Sequence, residues 1–395
     1  MTERAVVLID GEHYAPVVRD ALAALPYDVV GALFVGGSEK LRGPGVEDYG
    51  VPLVEALDAV ETDLVVDLSD EPVLGPRERM LWASRALALG LPYVGADFRF
   101  DPPPLHAVDT PSLAVIGLGK RVGKTAVAGH VARLLARDRR VVVVAMGRGG
   151  PAEPELVEAP PTLDDLLALS RSGRHAASDH LEAAALAGVP AIGCRRAGGG
   201  LAGAPFYSNV LEGVTLAQEL DPELLVFDGS GSALPPVAAD ARILVTNGDH
   251  DVRAGLNAYR VLVSDLVVDT GGADRDAIRS ISDVQVVAAE LRLRPTEPLD
   301  GRRTAVFTTG PAPTDGLDGE IVHVSRNLAR RDLLREELER VEAEVYLVEL
   351  KAAAVDLVAE AALTRGSEVV LAANDVVSAE LDERVLALAP DRSRA

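Results

Sequence analysis

Residues 113–125, LAVIGLGKRVGKT, combine the residue types and spacing of a phosphate-binding loop. An apolar, β-prone run (113–116) meets a glycine-bearing turn (117–123). Residues 126–137 then show helical periodicity through Val127, Val131, Leu134 and Leu135. Strand, turn and helix in that order aim backbone N–H groups and the positive end of the helix dipole at an anion. Lys124 adds a point charge, and Thr125 adds a hydroxyl suited to Mg²⁺. Gly117, Gly119, Gly123, Lys124, Thr125 and Ala126 are therefore the candidate ATP-binding residues, with Lys120, Arg121 and Lys124 as candidate catalytic cations.

In the common pattern G-x-x-x-x-G-K-[ST] the first glycine would fall on position 118, which is Leu118. Counted from Gly117 the loop is one residue longer, and in this it resembles the variant loop of dethiobiotin synthetase and its relatives.

Further cations sit beside glycines. Residues 140–146, RVVVVAM, read as a buried strand that ends in Gly147-Arg148-Gly149-Gly150, which places Arg148 to reach a phosphate. Arg195 and Arg196 run into Gly198-Gly199-Gly200, a second candidate anion nest of guanidinium forks and exposed amides. His175 and His180 are candidate secondary donors to phosphate. Their spacing of five, not the four of a zinc-binding helix face, argues against a metal site. Residues 223–228 form an apolar strand ending in Asp228, a candidate Mg²⁺ carboxylate. Thr246, Asn247 and Asp249, at the end of another strand, could approach the nucleotide base or the γ-phosphate. Lys351 follows a strand ending in Glu349, at the sheet edge where ligands collect.

Composition narrows the partner. The chain has 395 residues and a formal net charge of −22, which argues against nucleic acid or an anionic membrane and requires any anionic substrate to meet a local cluster of cations. Of 39 Lys+Arg only four are lysines (Lys40, Lys120, Lys124 and Lys351), and two of the four lie in the loop. Arginine serves elsewhere, so the remaining lysines mark places that want a compact ammonium. Cys194 is the single cysteine, which excludes an intrachain disulfide and points to the cytoplasm. No apolar run approaches the roughly 20 residues that span a bilayer, and the opening MTERAVVLI has no signal-peptide pattern.

The elements that must position these groups read as α/β throughout. A central P-loop NTPase domain of the dethiobiotin-synthetase-like loop class is expected over residues 109–290. Smaller parallel α/β segments flank it, a Rossmann-like one over 1–108 and a C-terminal one over 291–395. In the first segment strands are expected at 4–9, 28–34 and 63–67, with helices at 14–25 and 76–89. Polar clusters (Asp10 to His13, Gly36 to Lys40, Ser69 to Pro72) follow the strand ends, where such sheets bind ligands. In the last segment strands are expected at 304–308, 345–349 and 368–372, with a charged helix over 327–342.

Several blocks, in order along nearly the whole chain, resemble the cyclic 2,3-diphosphoglycerate synthetase family: GEHY (11–14), FVGGSEKL (34–41), IGLGKRVGKTAV, AMGRGGPAEPE (145–155), HAASDH, GCRRAGGGLAG (193–203), SNV (208–210) and VELKAAAVD (348–356). The resemblance implies a cytoplasmic, ATP-dependent enzyme that closes 2,3-bisphosphoglycerate into an internal phosphoanhydride, with release of ADP and phosphate. By their placement, Arg148, Arg195 and Arg196 are expected to hold the substrate phosphates, with His175 and His180 as secondary donors and Lys351 as a further candidate at the sheet edge. One departure is Asp228, which stands before Gly-Ser-Gly where the resemblance leads one to expect a glutamate. Two other readings use the same groups: a 2-phosphoglycerate kinase, and a nucleotide-gated P-loop switch or chaperone. The second needs partner surface more than a second anion site. A homodimer is the default assembly for relatives of this loop class.

Overall fold

A computed structural model describes residues 2–41, 48–174, 178–310, 313–350 and 354–391. The chain forms two compact units. The first comprises Met1–Pro104, Asp251–Val263 and Asp274–Val284; the second comprises Leu105–His250, Ser264–Ala273 and Gln285–Ala395.

In the first unit a six-stranded sheet runs in the order Leu53–Val54, Asp28–Phe34, Arg4–Ile9, Leu64–Asp67, Tyr93–Val94, Arg99–Phe100, and only the last pair is antiparallel. The first strand is apolar on both faces. Its Ala5, Val7 and Ile9 pack on Val18 and Leu22 of the helix Ala15–Ala24, whose buried positions follow helical spacing. Asp10, fully buried at the first strand end, joins two of the expected polar clusters. Its Oδ1 accepts from the Glu12 amide at 2.9 Å and from His13 Nδ1 at 2.8 Å, and its Oδ2 accepts from the Asp70 amide at 2.6 Å.

The second unit holds the loop-bearing sheet. Its order is Tyr207–Ser208, Ala191–Ala197, Val141–Gly147, Leu224–Asp228, Ser112–Gly117, Ala241–Thr246, Leu266–Asp269, Gln285–Ala288, with Glu155–Val157 added antiparallel to Ala191–Ala197. From Ala191–Ala197 to Gln285–Ala288 the pairing is parallel. Strands covered on both faces must be apolar on both, and Val141–Gly147 is buried at every residue. The helix Lys124–Leu135 seats Val127, Val131, Leu134 and Leu135 on Leu113, Val115, Val143 and Val226. The parallel strands therefore all end on the side where the loop turns into its helix.

The same unit contains a five-stranded C-terminal sheet in the order Glu290–Pro295, Glu368–Val377, Val345–Glu349, Arg303–Phe307, Glu320–Ser325, with the first strand antiparallel. Phe307 and Tyr346 stack in its core at 5.6 Å, and the Tyr346 hydroxyl donates to the Val341 carbonyl. Val376, Leu381 and Val385 join the core of the loop-bearing sheet. Two local expectations change here, and one strand is added. The charged helix covers only Arg331–Leu338, because Asn327 and Ser325 instead form a polar turn on Glu337. Glu320–Ser325 is an edge strand with half-exposed valines, so its apolar content is too thin to announce it. Glu368–Val377 runs for ten residues because Glu290–Pro295 pairs with its second half.

Candidate active site

Two neighbouring strands frame the loop. Ser112–Gly117 lies between Leu224–Asp228, which pairs Asp228 with Val115, and Ala241–Thr246, which pairs Val245 with Gly117. The extra residue of the loop is an anchor. Leu118 is 2% exposed, and its amide donates to the Val245 carbonyl at 3.0 Å. Gly123 caps the helix at φ +80°, a left-handed conformation that glycine adopts without a Cβ penalty. Lys124 and Ala126 are buried in the first helical turn, with Thr125 half-buried between them. The Lys124 ammonium forms an ion pair with Asp228, a carboxylate only 1% exposed at the end of the adjacent strand. Paired in this way, both charges can be buried together.

The two predicted arginines Arg195 and Arg196 separate. They lie within the strand Ala191–Ala197, where successive side chains point to opposite faces. Arg195 donates from Nε to the Pro151 carbonyl at 2.7 Å, and its own amide donates to Asn209 Oδ1 at 2.7 Å. Arg196, buried, donates from Nη2 to the Ser230 carbonyl at 2.8 Å and from Nη1 to the Gly198 carbonyl at 2.5 Å. Among the described residues its buried Nε has no hydrogen-bond partner. A methyl carbon placed on Gly231 would lie 3.1 Å from Arg148 Nη2, 3.7 Å from Lys120 Cγ and 4.0 Å from Arg196 Nη2. Lys120, Arg148 and Arg196 thus converge over the Gly229-Ser230-Gly231 turn that follows Asp228. A methyl on Gly117, within the loop, would stand 2.7 Å from the Gly231 carbonyl oxygen, so the turn lies against the loop itself.

Burial pulls the Arg196 guanidinium below its ordinary pKa, the neighbouring Arg148 charge adds to this, and Asp179 opposes it. Two cations held side by side with an orphaned N–H form a region of positive potential that favours an anion. Lys120 and Arg148 are exposed there, and Arg121, the next residue of the loop, is exposed as well.

His180 does not join them. Its ring packs on Gly193 and is 4% exposed, and burial depresses its pKa to about 4, so it is neutral near pH 7. The residue just before it, Asp179, points the other way, toward Gly147 at the head of the Arg148 turn. Its sequence signal is its place between two histidines in HAASDH. Asn209, from the SNV block, donates from Nδ2 to the Ala152 carbonyl and so joins the Arg195 strand to the turn beyond Arg148. Asn247 meets the loop backbone: its Nδ2 lies 3.4 Å from the Arg121 carbonyl oxygen. His175 and Lys351 lie outside the described residues. Cys194 is buried and its thiol is pushed up to about 12, which removes it as a nucleophile.

Family models for cyclic 2,3-diphosphoglycerate synthetase match three consecutive stretches: its N-terminal domain at residues 4–101, its P-loop domain at 112–292 and its C-terminal domain at 295–375. A protein of Rubrobacter xylanophilus named cyclic 2,3-diphosphoglycerate synthetase is 46% identical, covering 98% of this chain and 97% of that protein. One of the same name from Thermococcus onnurineus is 43% identical over 94% of each. Among solved structures, the "apo" form of LpxK from Aquifex aeolicus in complex with ATP matches with a TM-score of 0.45 and 16% identity, covering 72% of this chain and 90% of that one, too remote to carry an argument.

Proposed function

Because the chain belongs to the cyclic 2,3-diphosphoglycerate synthetase family, we propose that its loop uses ATP to activate one phosphate of 2,3-bisphosphoglycerate while the Arg148 and Arg196 pocket holds the molecule for ring closure. The enzyme is ATP-dependent and its product is cyclic 2,3-diphosphoglycerate. An oxygen of one substrate phosphate attacks the γ-phosphorus of ATP, the bond to the bridging oxygen breaks, and ADP leaves. An oxygen of the other substrate phosphate then attacks the activated phosphorus, and the transferred group departs as inorganic phosphate.

Each step brings anions together, so the protein must supply positioning and charge neutralisation. Gly117, Gly119, Gly123, Lys124, Thr125 and Ala126 take the ATP phosphates. Lys120 and Arg121, exposed on the loop, stabilise the group in transfer. Arg148 and Arg196 hold the substrate phosphates, and Arg195 shapes the turn at Pro151. His180 supports the fold beneath them. Thr125 and Asp228 would hold Mg²⁺, since a hydroxyl and a carboxylate at the Lys124 end of the loop are the hard oxygen donors this ion takes. Bound there, the ion would neutralise charge on the ATP phosphates. The same reading makes the working form a cytoplasmic homodimer, checked by light scattering of the purified protein and by fractionation of cells.

One observation carries the proposal: Lys120, Arg148 and Arg196 gather around Gly231, next to the loop that bears Lys124. The test is ³¹P NMR of the protein with ATP, Mg²⁺ and 2,3-bisphosphoglycerate. Ring closure yields coupled anhydride resonances together with ADP and phosphate. If a parallel reaction with 2-phosphoglycerate instead turns over ATP, and neither reaction gives an anhydride pair beyond those of ATP and ADP, the protein is a kinase and the proposal is removed.

A further inference from the structure

Three consecutive carbonyls of the phosphate loop are held from outside by side chains at two strand ends. His250 Nε2 lies 3.0 Å from the Lys120 carbonyl oxygen. A carbonyl can only accept, so the ring nitrogen carries the proton and donates it. Asn247 Nδ2 donates to the Arg121 carbonyl at 3.4 Å, and Thr270 Oγ1 lies 2.9 Å from the Val122 carbonyl oxygen. Asn247 and His250 follow the strand Ala241–Thr246, and Thr270 follows Leu266–Asp269. Both strands belong to the loop-bearing sheet.

A trans peptide points its N–H opposite to its C=O. Carbonyls 120, 121 and 122 drawn toward these strand ends therefore turn the amides of Arg121, Val122 and Gly123 to the other side. Among the described residues, no backbone carbonyl accepts from those three amides. The same restraint accounts for Arg121 standing at φ +62°, which a residue with a Cβ adopts only where its surroundings impose it. The fit on the outer side is close: a methyl on Gly119 would run into the His250 ring.

We propose that His250 and Thr270, assisted by Asn247, are positioning residues that set the loop in its phosphate-receiving shape before nucleotide arrives. They act through the loop backbone and touch no substrate. The proposal concerns ATP binding alone and stands apart from the identity of the second substrate.

The experiment measures ATP·Mg²⁺ affinity by titration calorimetry and KM for both substrates in the intact protein. His250→Ala is expected to weaken ATP about fivefold to tenfold, the effect of one lost hydrogen bond, with KM for 2,3-bisphosphoglycerate unchanged. His250→Gln keeps an N–H donor and restores most of the affinity. Thr270→Val, equal in shape and lacking only the hydroxyl, behaves like His250→Ala and serves where the histidine variant folds poorly. Gly119→Ala weakens ATP strongly in the native background and far less on top of His250→Ala, because the obstructing ring is gone. Native ATP affinity in both His250→Ala and Thr270→Val, equal loss of affinity for both substrates, or strictly additive effects of Gly119→Ala and His250→Ala would each overturn the proposal.

Discussion

Arg195 and Arg196 are neighbours in one strand and leave it on opposite sides: Nε of the first donates to the Pro151 carbonyl at 2.7 Å, and Nη2 of the second donates to the Ser230 carbonyl at 2.8 Å. Arg196 thereby reaches the pocket it shares with Arg148 and Lys120, while Arg195 is engaged at Pro151. Arg196→Ala is expected to raise KM for 2,3-bisphosphoglycerate by about 10- to 100-fold, the worth of charge-assisted hydrogen bonds. Arg195→Ala should change that KM by less than about threefold and instead lower thermal stability slightly, through the lost bond to Pro151. Steady-state kinetics and melting curves of the two variants, measured side by side, check the split.

The buried Lys124 and Asp228 pair makes the two substitutions unequal. Lys124→Ala removes a cation from the ATP phosphates, and kcat should fall by about 10²- to 10³-fold, as for other single transition-state donors. Asp228→Ala leaves the ammonium buried without its counter-charge and should cost about 3–5 kcal/mol in urea unfolding of the nucleotide-free protein. Saturating ATP·Mg²⁺ should recover part of that loss, because its phosphates supply the missing negative charge.

Burial holds the His180 pKa at about 4, below the ordinary histidine value. The folded state therefore binds fewer protons than the unfolded chain between these two values. The stabilisation from the neutral ring is fully present above about pH 6.5 and is lost as pH falls toward 4. From pH 7 to pH 5 this one group should account for about 2 kcal/mol of lost stability. Urea midpoints across that range should show a smaller acid loss in His180→Asn than in the native protein. Equal pH slopes for the two proteins would refute the assignment.

Arg121 combines a left-handed backbone, φ +62°, with a guanidinium exposed at the loop mouth. Glycine takes that backbone conformation freely. Arg121→Gly should therefore leave the melting temperature equal or slightly higher while kcat drops about 10-fold or more, as one electrostatic contributor to phosphoryl transfer is lost. A fall in melting temperature with kcat unchanged would mean that the side chain serves the fold instead.

Local pattern made the loop legible. Residues 113–125 announce strand, glycine turn and helix through features that lie next to one another, and the described elements Ser112–Gly117 and Lys124–Leu135 follow them closely. The apolar run ending in Met146 and the run ending in Asp228 were readable for the same reason: a strand buried on both faces has no polar position to hide it. Edge strands lack that signature. Glu320–Ser325 alternates half-buried and exposed residues at the margin of its sheet, and Glu290–Pro295 becomes a strand because Glu368–Val377 offers it a partner. Neither pairing is written in its own six residues.

Residue types and their spacing already point to the chemistry: a lysine-bearing phosphate loop in an acidic chain, with glycine-flanked arginines nearby. Tertiary structure decided which of those groups meet. Strand alternation sent Arg195 and Arg196 apart, packing against Gly193 took His180 out of play, and strand order brought Asp228 to Lys124. It also placed His250 and Thr270 against loop carbonyls 130 and 148 residues away in the chain. Residue type and spacing are local properties, whereas the face on which a side chain emerges, and what stands opposite it, depend on register and strand order across the whole sheet.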